Sequence, residues 1–533
     1  MDRRLEDMLE DDLTIGISEE KMNSSMGSKI IEIRKTIKKT SITEILQGIE
    51  HEILFYGVNE YINDVKINSN LIEPNDMYIA LNGRKVNGHE FINEACKRGA
   101  TAFVINADKA NEIKLPKYME CTIITVANTR ESLPYIIRNL YHNPSEKFDL
   151  IGVTGTNGKT SVTTIAKHVF TKMNHNTGLI GTIDNYINNH RIEMKKTTAT
   201  TPDCIELGKL MDLFVKEQVD TVLMEVSSMA LKNHRVDGCK FDIGVYMNIS
   251  PEHLDDHKTM DDYIASKMML FDMTDKAIVN VDDSYAFQVL ERCKGSVLRF
   301  GIKNVSDCDI YAKEIVYSNT CVSFTVIYQG KEYPVKLNIP SEFAIYNNLA
   351  VLAICIMKGM NVGEVIEILS EDIKVEGRYD VISENNSCSV IVDYAHTPAA
   401  LENLLTAVQK NSSYKRIITV FGCGGDRDKS KRSVMGKLSQ EMSDLTIITS
   451  DNPRTEKPMN IIEDIIKGMN TKLDNYIVIE DREKAIHYAI EQADNCDVVV
   501  IAGKGHEKVQ IFNGYSVEFD DKEVARKAMK SMT

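Results

Sequence analysis

The sequence lacks several features that mark whole classes of protein. Its 533 residues contain no apolar run near the roughly 18 residues that a membrane-spanning helix needs, and no apolar stretch of the kind found in a secretory signal is recognised. None of the 11 cysteines forms a C-x-x-C pair, which favours free thiols in a reducing compartment over a disulfide framework. We therefore expect a cytoplasmic protein without a membrane span. Tryptophan is also absent, which excludes no class.

A surplus of positive charge is missing as well. Lys and Arg total 63 against 78 Asp and Glu, so the formal net charge is -15. This argues against a nucleic-acid-binding surface, and an acidic protein must bind phosphates through local loops, metals and single basic residues. With 43% hydrophobic and 26% charged residues the chain is typical of a globular protein, and its length predicts about three domains.

The stretch 152–160, G-V-T-G-T-N-G-K-T, has the composition of a phosphate-binding loop. A short apolar strand is predicted before it and an amphipathic helix after it. The glycines let backbone N–H groups surround an anion, Lys159 can reach the outer phosphates, and the Thr160 hydroxyl can hold Mg²⁺. The fit to G-x-x-x-x-G-K-[ST] is off by one glycine, and a simple packing turn is the alternative. We predict a nucleoside triphosphate site.

Further polar residues follow predicted strands of the same segment. The buried strand 222–226 delivers Glu225 to its carboxyl end, where a Mg²⁺ ligand would lie beside the phosphate loop. The loop 248–257 contains His253, and its spacing fits an oxygen-rich Mg²⁺ site better than any zinc pattern. Lys267 lies on the next predicted helix, where by itself it would be a solvated lysine. The strand end at 280–283 could contact adenine or ribose.

The C-terminal segment repeats this arrangement with four predicted strands that end in polar, glycine-rich tips. This layout predicts a Rossmann-like sheet with its site along one edge. A dinucleotide loop is rejected because the glycine-rich tip lacks G-x-G-x-x-G spacing. The four tips lie at 395–398, 422–428, 450–455 and 503–507.

These patterns predict an α/β protein in consecutive segments. Residues 1–40 form an N-terminal extension, expected to be a mobile or docked helical segment. Three domains follow at 41–145, 146–378 and 379–533, with breaks at Asn143-Pro144 and at Glu376-Gly377-Arg378.

When the motifs are taken together in their order along the chain, residues 60–530 resemble the Mur ligase family. The resemblance implies a small α/β UDP-binding domain, a central ATPase domain with a mostly parallel sheet, and a Rossmann-like C-terminal domain. Individually the motifs are moderately specific, but their order and spacing together are highly specific. They are the phosphate loop at 155–160, Glu225-Val226-Ser227-Ser228, His253-Leu254-Asp255, Asp393-Tyr394-Ala395-His396-Thr397-Pro398 and the tip 422–429.

The resemblance also implies a reaction. ATP would phosphorylate a substrate carboxylate, the amine of an amino acid would attack the acyl phosphate, and phosphate would leave, with Mg²⁺ as cofactor. Asp451-Asn452-Pro453-Arg454 matches the branch that adds meso-diaminopimelate to UDP-N-acetylmuramoyl-L-alanyl-D-glutamate in peptidoglycan precursor synthesis. Arg454 could hold the extra carboxylate bidentately, and Glu507 the extra ammonium. We expect a monomer with small-molecule substrates and no nucleic-acid partner.

The family's functional positions align with the following residues of this sequence. The catalytic and metal-binding set is Lys159, Thr160, Glu225, His253 and Lys267, the last carbamylated and thereby able to bind Mg²⁺. The ATP set is Gly155, Thr156, Asn157, Gly158, Lys159, Thr160, Asn280, Asp282, Asn347 and Arg378. The UDP-substrate set is Ser69, Thr200, Thr201, Ser227 and Arg235. The amino-acid set is Arg427, Asp451, Asn452, Arg454, Gly503 and Glu507.

Three departures from the family pattern keep alternatives open. The uridine-binding Asp-Ser-Arg appears as Asn68-Ser69-Asn70, Met229 replaces a histidine, and the Gly-x-Phe-Asn stretch reads 341–344 S-E-F-A. The ATPase and amino-acid signatures are intact, while the UDP end is altered. A related ligase that uses a different carboxylate substrate, or that adds L-lysine, is therefore the alternative. A binding or regulatory protein is less favoured, because the four catalytic positions are intact.

Overall fold

The computed structural model describes residues 30–32, 39–83, 86–112, 120–318, 320–382 and 388–531. Its first strand, β1 (Ile30–Glu32), pairs in parallel with residues 191–193 of the central sheet. The helical expectation for the N-terminal extension is therefore wrong at 30–32, because backbone pairing at a sheet edge outweighs the weak apolar stripe. The rest of that prediction, up to residue 38, lies outside the described residues.

The first segment contains a five-stranded sheet with the order β3-β8-β7-β6-β5. Helix α3 begins after Asn128, whose side chain accepts from the Arg130 N–H, and buries Leu133, Ile136 and Leu140 against this sheet. Each such buried side chain contributes about 1.5–3 kcal/mol. The elements are β2 Thr40–Ser41, α1 Ile42–Ile45, β3 Glu52–Phe55, β4 Tyr61–Ile62, β5 Val65–Lys66, β6 Met77–Ile79, α2 Ile92–Lys97, β7 Ala102–Asn106, β8 Thr122–Val126 and α3 Thr129–Leu140.

The central sheet has twelve strands in the order β1-β12-β11-β10-β13-β9-β14-β15-β16-β17-β18-β19, most of them paired in parallel. Its elements are β9 Asp149–Thr154, α4 Lys159–Lys172, β10 Thr177–Ile180, β11 Asn185–Ile187, β12 His190–Glu193, α5 Cys204–Lys216, β13 Thr221–Glu225, α6 Ser228–Lys232, β14 Phe241–Tyr246, α7 Leu254–His257, α8 Met260–Asp272, β15 Thr274–Asn280, α9 Ala286–Arg292, β16 Ser296–Gly301, β17 Ile310–Tyr317, β18 Val322–Tyr328, β19 Lys331–Leu337, α10 Glu342–Met357 and α11 Val362–Leu369.

Strand order in the central sheet places the candidate site. β9 lies between β13 and β14, and the chain reverses its direction across the sheet there. Ligands of open α/β sheets bind at such a switch point, outside the carboxyl ends of the strands. β9 is buried on both faces, as is usual for parallel strands covered by helices, with α4 and α10 packed together on one face.

The third segment contains a six-stranded sheet, ordered β20-β21-β25-β22-β23-β24, and a separate hairpin. All pairs in this sheet are parallel except β20 with β21. Its elements are β20 Asp380–Ile382, β21 Ser389–Asp393, α12 Pro398–Gln409, β22 Ile417–Phe421, α13 Ser430–Met442, β23 Leu445–Ile448, α14 Pro458–Ile466, β24 Tyr476–Val478, α15 Arg482–Glu491, β25 Val498–Ala502, β26 Val509–Phe512, β27 Tyr515–Glu518 and α16 Asp521–Ser531.

The α/β prediction is confirmed, with a mostly parallel central sheet and a third parallel sheet. Each predicted segment after the extension contains one of the sheets, and the boundaries at 41–145, 146–378 and 379–533 remain our proposal. Within the described residues, no helix combines the length and the apolar character needed to cross a membrane.

Candidate active site

The phosphate loop connects β9 to α4 and requires glycine at Gly158. This residue has φ +92°, and a Cβ added there would lie 2.7 Å from Asn347 Oδ1. The Asn157 N–H donates to Asn248 Oδ1 at 2.9 Å, which ties the loop to the segment after β14. The loop is therefore held by its backbone conformation and by neighbouring side chains, of which Asn248 is one.

Two lysines converge on this loop. Lys159 Nζ donates to Gly155 O at 2.7 Å and to Thr156 O at 2.9 Å, and Lys267 Nζ donates to Gly155 O at 2.9 Å. Burial lowers the pKa of both side chains, and for Lys267 it lowers the pKa well below the usual range, with the Lys159 charge adding to the effect. Lys267 lies over the Tyr263 ring and is 2% exposed, so it is not a solvated helix lysine.

Glu225 is the carboxylate beside the loop, and it accepts from two threonines. Thr160 Oγ1 donates to Glu225 Oε2 at 2.9 Å, while Thr182 donates through its N–H at 2.7 Å and through Oγ1 at 2.8 Å. Arg378 Nη2 in turn donates to Thr160 Oγ1 at 3.2 Å. The predicted metal-binding residues Thr160 and Glu225 are thus in direct contact.

His253 lies on the other wall of the site, next to Glu252. Its Nε2 is 3.7 Å from Glu252 Oε1, and Glu252 Oε1 is 3.2 Å from His396 Nε2 of the third segment. Burial alone would raise the pKa of Glu252. The hydrogen bond with His396 and the nearby charges of His253, His396 and Lys159 lower the pKa by more than burial raises it, so the net shift is downward. The contact between Glu252 and His396 joins the central segment to the third segment at the site.

A cavity of about 320 Å³ opens from the loop toward β15 and α10, and Arg378 lies on its wall. Asp282 lines this cavity, but its carboxylate already accepts from the N–H groups of residues 302–304 and from Tyr346 OH. Asn280 Nδ2 donates to Met247 O at 2.8 Å. Of the predicted ATP residues, this cavity collects Asn157, Gly158, Asn280, Asp282, Asn347 and Arg378.

The tips of the third sheet form a second polar group. Arg454 has φ +53°, and its Nη1 donates to Gly425 O at 2.8 Å. Asn452 Nδ2 donates to Glu507 Oε2 at 2.7 Å. Gly503 has φ +115°, and a Cβ added there would lie 2.8 Å from Asp451 Oδ2, so glycine allows the two tips to approach.

One cleft of about 520 Å³ joins the two groups. Its walls include Lys159, Thr160 and Glu225 from the central sheet, and Arg454 and Glu507 from the third sheet. The predicted ATP-dependent and amino-acid-binding residues therefore face one space. The other predicted residues on its walls are Thr156, Asn157, Gly158, Thr200, His253, Arg378, Arg427, Asp451, Asn452 and Gly503.

The predicted UDP-substrate residues are only partly brought together. Thr201 Oγ1 donates to Glu225 O at 2.9 Å and is 3.3 Å from Ser227 Oγ, and Arg235 Nη1 donates to Thr201 O at 3.3 Å. Thr200 is 3.2 Å from Thr182. Ser69 is buried in the first segment, and no contact among the described residues joins it to this group.

Sequence reasoning missed three residues of the site. Thr182 supplies two of the bonds to Glu225, Tyr346 supports Asp282, and Lys504 donates to both Asn452 and Glu507. Only Lys504 carried a signal, because it belongs to the glycine-rich tip 503–507. The others depend on tertiary contacts that no local pattern marks.

Comparison with known proteins agrees with this geometry. The Mur ligase family's catalytic domain matches residues 61–141, its middle domain 153–355, and its glutamate ligase domain 377–505. A protein of Alkaliphilus oremlandii named UDP-N-acetylmuramoyl-L-alanyl-D-glutamate--2,6-diaminopimelate ligase is 42% identical over 491 residues, covering 91% of this chain and 98% of the relative. Its namesake of Clostridium botulinum is 39% identical over 490 residues, covering 92% and 99%. The chain belongs to the Mur ligase family.

Solved structures give the same fold. A structure of a UDP-N-acetylmuramoyl-L-alanyl-D-glutamate--2,6-diaminopimelate ligase matches with a TM-score of 0.65 at 28% identity, covering 93% of this chain and 99% of the other. The MurF ligase of Thermotoga maritima in complex with ADP matches with a TM-score of 0.60 at 18% identity, covering 88% and 98%. The second match concerns the fold alone.

Proposed function

We propose that this protein is an ATP-dependent acid–amino-acid ligase that adds meso-diaminopimelate to UDP-N-acetylmuramoyl-L-alanyl-D-glutamate. The main observation in support of this function is a single cleft that is lined by both the phosphate loop and the Arg454–Glu507 group. The names of the relatives at 39% and 42% identity support the choice of substrates. We further propose that the enzyme acts as a monomer in the cytoplasm.

The residues present fit ATP and Mg²⁺. The 320 Å³ cavity adjoins the phosphate loop and is within the usual size range of small-ligand pockets. Within the described residues, no cluster of three His, Cys, Asp or Glu side chains could hold a metal by itself. A magnesium site would therefore draw on Thr160, Glu225, His253 and a carbamylated Lys267. When bound, Mg²⁺ supplies charge neutralisation for phosphoryl transfer.

The third-sheet tips fit a diamino acid with a second carboxylate. Among the described residues, only Nη1 of the Arg454 guanidinium is bonded to protein, which leaves Nε and Nη2 for a planar carboxylate. Both side-chain contacts of Glu507 go to Oε2, which leaves Oε1 for an ammonium. Arg427 and Asp451 complete the wall on that side.

The chemistry then follows from position. Lys159 and the N–H groups of the loop bind the phosphates of ATP, so its terminal phosphoryl group lies toward the cleft. The substrate carboxylate, held from the side of Thr200, Thr201 and Ser227, would attack the terminal phosphorus, so that ADP leaves and an acyl phosphate forms. The amino acid, held on the Glu507 side, would lose a proton from its ammonium to water. Its amine would then attack the acyl carbon and expel inorganic phosphate, and the new amide would release the second proton. In a reaction of this kind, correct positioning of the reacting groups provides most of the rate enhancement.

A ligase with a different carboxylate substrate remains the alternative, since Asn68-Ser69-Asn70 has neither charge of the family motif. The turn itself is intact, because Asn68 Oδ1 accepts from the Asn70 N–H at 3.0 Å and Arg98 donates to Asn70 Oδ1 at 3.0 Å. The altered motif therefore changes the charge rather than the local fold.

Phosphate release by the purified protein tests the proposal. We expect release to require ATP, UDP-N-acetylmuramoyl-L-alanyl-D-glutamate and diaminopimelate together, with L-lysine a much poorer amine, and mass spectrometry should show the tripeptide product. Release that is indifferent to the UDP substrate would favour the alternative. Equal use of lysine would contradict the assignment of the amino acid.

A further inference from the structure

Lys504 is a fully buried ammonium in the tip after β25, where its side chain is 0% exposed. It donates to Val509 O at 2.7 Å, to Glu507 Oε2 at 2.8 Å and to Asn452 Oδ1 at 3.0 Å. Three acceptors match its three N–H donors, so this cation is satisfied without water. Because all three hydrogen bonds are made within the protein, the position of the Lys504 side chain and the positions of its three partners depend on one another.

Lys504 and the backbone of Ile511 together orient the Asn452 side chain. An ammonium can only donate, so the amide must turn its oxygen toward Lys504, and the Ile511 N–H donates to the same oxygen at 2.9 Å. Asn452 Nδ2 is consequently directed to Glu507 Oε2, at 2.7 Å. Glu507 is held through this one oxygen by two donors, and Oε1 carries no protein hydrogen bond among the described residues.

Lys504 also changes the charge of the amino-acid site. Arg427, Arg454 and Lys504 carry three positive charges, and Asp451 and Glu507 carry two negative charges, so these five residues have a net charge of +1. An amino-acid side chain that ends in both an ammonium and a carboxylate leaves this net charge unchanged. One that ends in an ammonium alone leaves the Arg454 charge unpaired in a partly buried site, which costs affinity.

We propose that Lys504 is a positioning and specificity-determining residue: it fixes Asn452 and Glu507 and offsets one negative charge. The site thereby selects a diamino acid whose far end is zwitterionic over one that ends in an ammonium. This inference rests on the proposed function, because it concerns the selectivity of the amino-acid site for its substrate.

The test compares Lys504→Met with wild type for diaminopimelate and L-lysine. We expect KM for diaminopimelate to rise about tenfold while KM for ATP stays within about twofold, because the phosphate loop is distant in the chain and not contacted by Lys504. The ratio of kcat/KM for diaminopimelate over lysine should fall about tenfold, since the variant site is one unit more negative. An unchanged ratio overturns the proposal, because loss of packing alone would slow both substrates alike.

A double-mutant cycle with Glu507→Gln separates coupling from simple addition. The two substitutions together should cost less than the product of the single effects, and strictly multiplicative effects count against the proposal. If Lys504→Met does not fold, Lys504→Gln, which keeps an N–H donor but no charge, decides the question in the same assays.

A crystal structure of the variant distinguishes this inference from the proposed function. Displaced Asn452 and Glu507 side chains support the positioning role, and unchanged side chains refute it, whichever substrate the enzyme uses. Wild-type protein that is inactive with diaminopimelate contradicts the proposed function and, with it, the specificity statement, while the structural result still decides the positioning role.

Discussion

Lys159 and Lys267 share one acceptor, the carbonyl oxygen of Gly155, at 2.7 and 2.9 Å. Two like charges on one carbonyl repel each other, and burial lowers the pKa of Lys267 well below its usual range. This shift favours the neutral amine of Lys267, the form that can react with carbon dioxide. A carbamate there would place an anion beside Lys159 and turn repulsion into attraction.

Lys267→Ala should abolish ATP-dependent phosphate release, and a small carboxylate such as acetate should restore part of it by occupying the vacated space. Phosphate release over a series of acetate concentrations measures this. Lys276→Ala, which alters an exposed lysine on β15, is the control and should behave as wild type. Full activity of Lys267→Ala without acetate would remove the residue from the metal site.

Removal of Mg²⁺ and removal of the Glu225 carboxylate should each reduce ATP-dependent phosphate release. Chelation with EDTA should stop phosphate release, and added Mg²⁺ should restore it. Glu225→Gln should lower kcat by about a hundredfold, because the negative charge is lost and the amide has only one oxygen to accept from the Thr160 and Thr182 donors. A variant that keeps wild-type kcat and wild-type magnesium dependence would show that Glu225 is only a structural acceptor.

Arg454→Ala should raise KM for diaminopimelate by about a hundredfold, since a charged bidentate pair contributes about 1.5–3 kcal/mol. KM for ATP should be unchanged. Arg454→Lys should recover little, because an ammonium cannot reproduce the planar fork. Steady-state kinetics measures both constants, with Arg526→Ala as an exposed control in α16. An unaltered KM for diaminopimelate would refute the assigned role.

Much of the site could be predicted because parallel strands deliver their carboxyl ends to one edge. Glycine spacing located the phosphate loop, and the buried strand pattern placed Glu225 beside it. Thr182 could not be predicted, since it follows β10, two positions across the sheet from β9, and only the strand order brings it to Glu225.

Two further misses have a common physical cause. The hydrogen-bond partners of Lys504 depend on tertiary contacts, which its position in a glycine-rich tip does not specify. Residues 30–32 join the sheet edge as β1 because the edge of β12 offers backbone partners. Neither helical periodicity nor composition can predict pairing with a strand that is distant in sequence.

Glu456 gives the third sheet a pH-dependent contribution to stability. The hydrogen bonds from the buried Arg432 hold the pKa of Glu456 at about 2, below the ordinary value of 4.5. Between these values the unfolded chain binds the proton and the folded chain does not, so the contribution is complete above pH 4.5 and is lost as the pH falls through 2. Glu456→Gln should therefore be less stable than wild type at pH 7, and the difference should shrink toward pH 2.

Urea midpoints followed by circular dichroism at several pH values measure that difference. Glu441→Gln, on the exposed face of α13, is the matched control and should show little change. A gap between wild type and Glu456→Gln that stays constant down to pH 2 would contradict the assignment.

The ion pair between Arg482 and Asp521 should dominate the stability of the same sheet. Both side chains are fully buried, and the two Nε and Nη2 contacts to the carboxylate are each 2.7 Å. Arg482 Nη2 also donates to Ala502 O, at the end of β25 and next to Gly503 of the candidate site. Asp521→Ala should cost about 3–5 kcal/mol, because it leaves a buried guanidinium without its partner.

The measurement is hydrogen exchange of the β25 amides, which reports local opening of the third sheet without assuming that the whole chain unfolds in one step. The double change Arg482→Met and Asp521→Leu should recover most of the loss, because apolar side chains of similar volume carry no desolvation penalty. Exchange rates in Asp521→Ala that match wild type would mean that water reaches Arg482. In that case the pair would contribute no more than a surface salt bridge, about 0–1 kcal/mol.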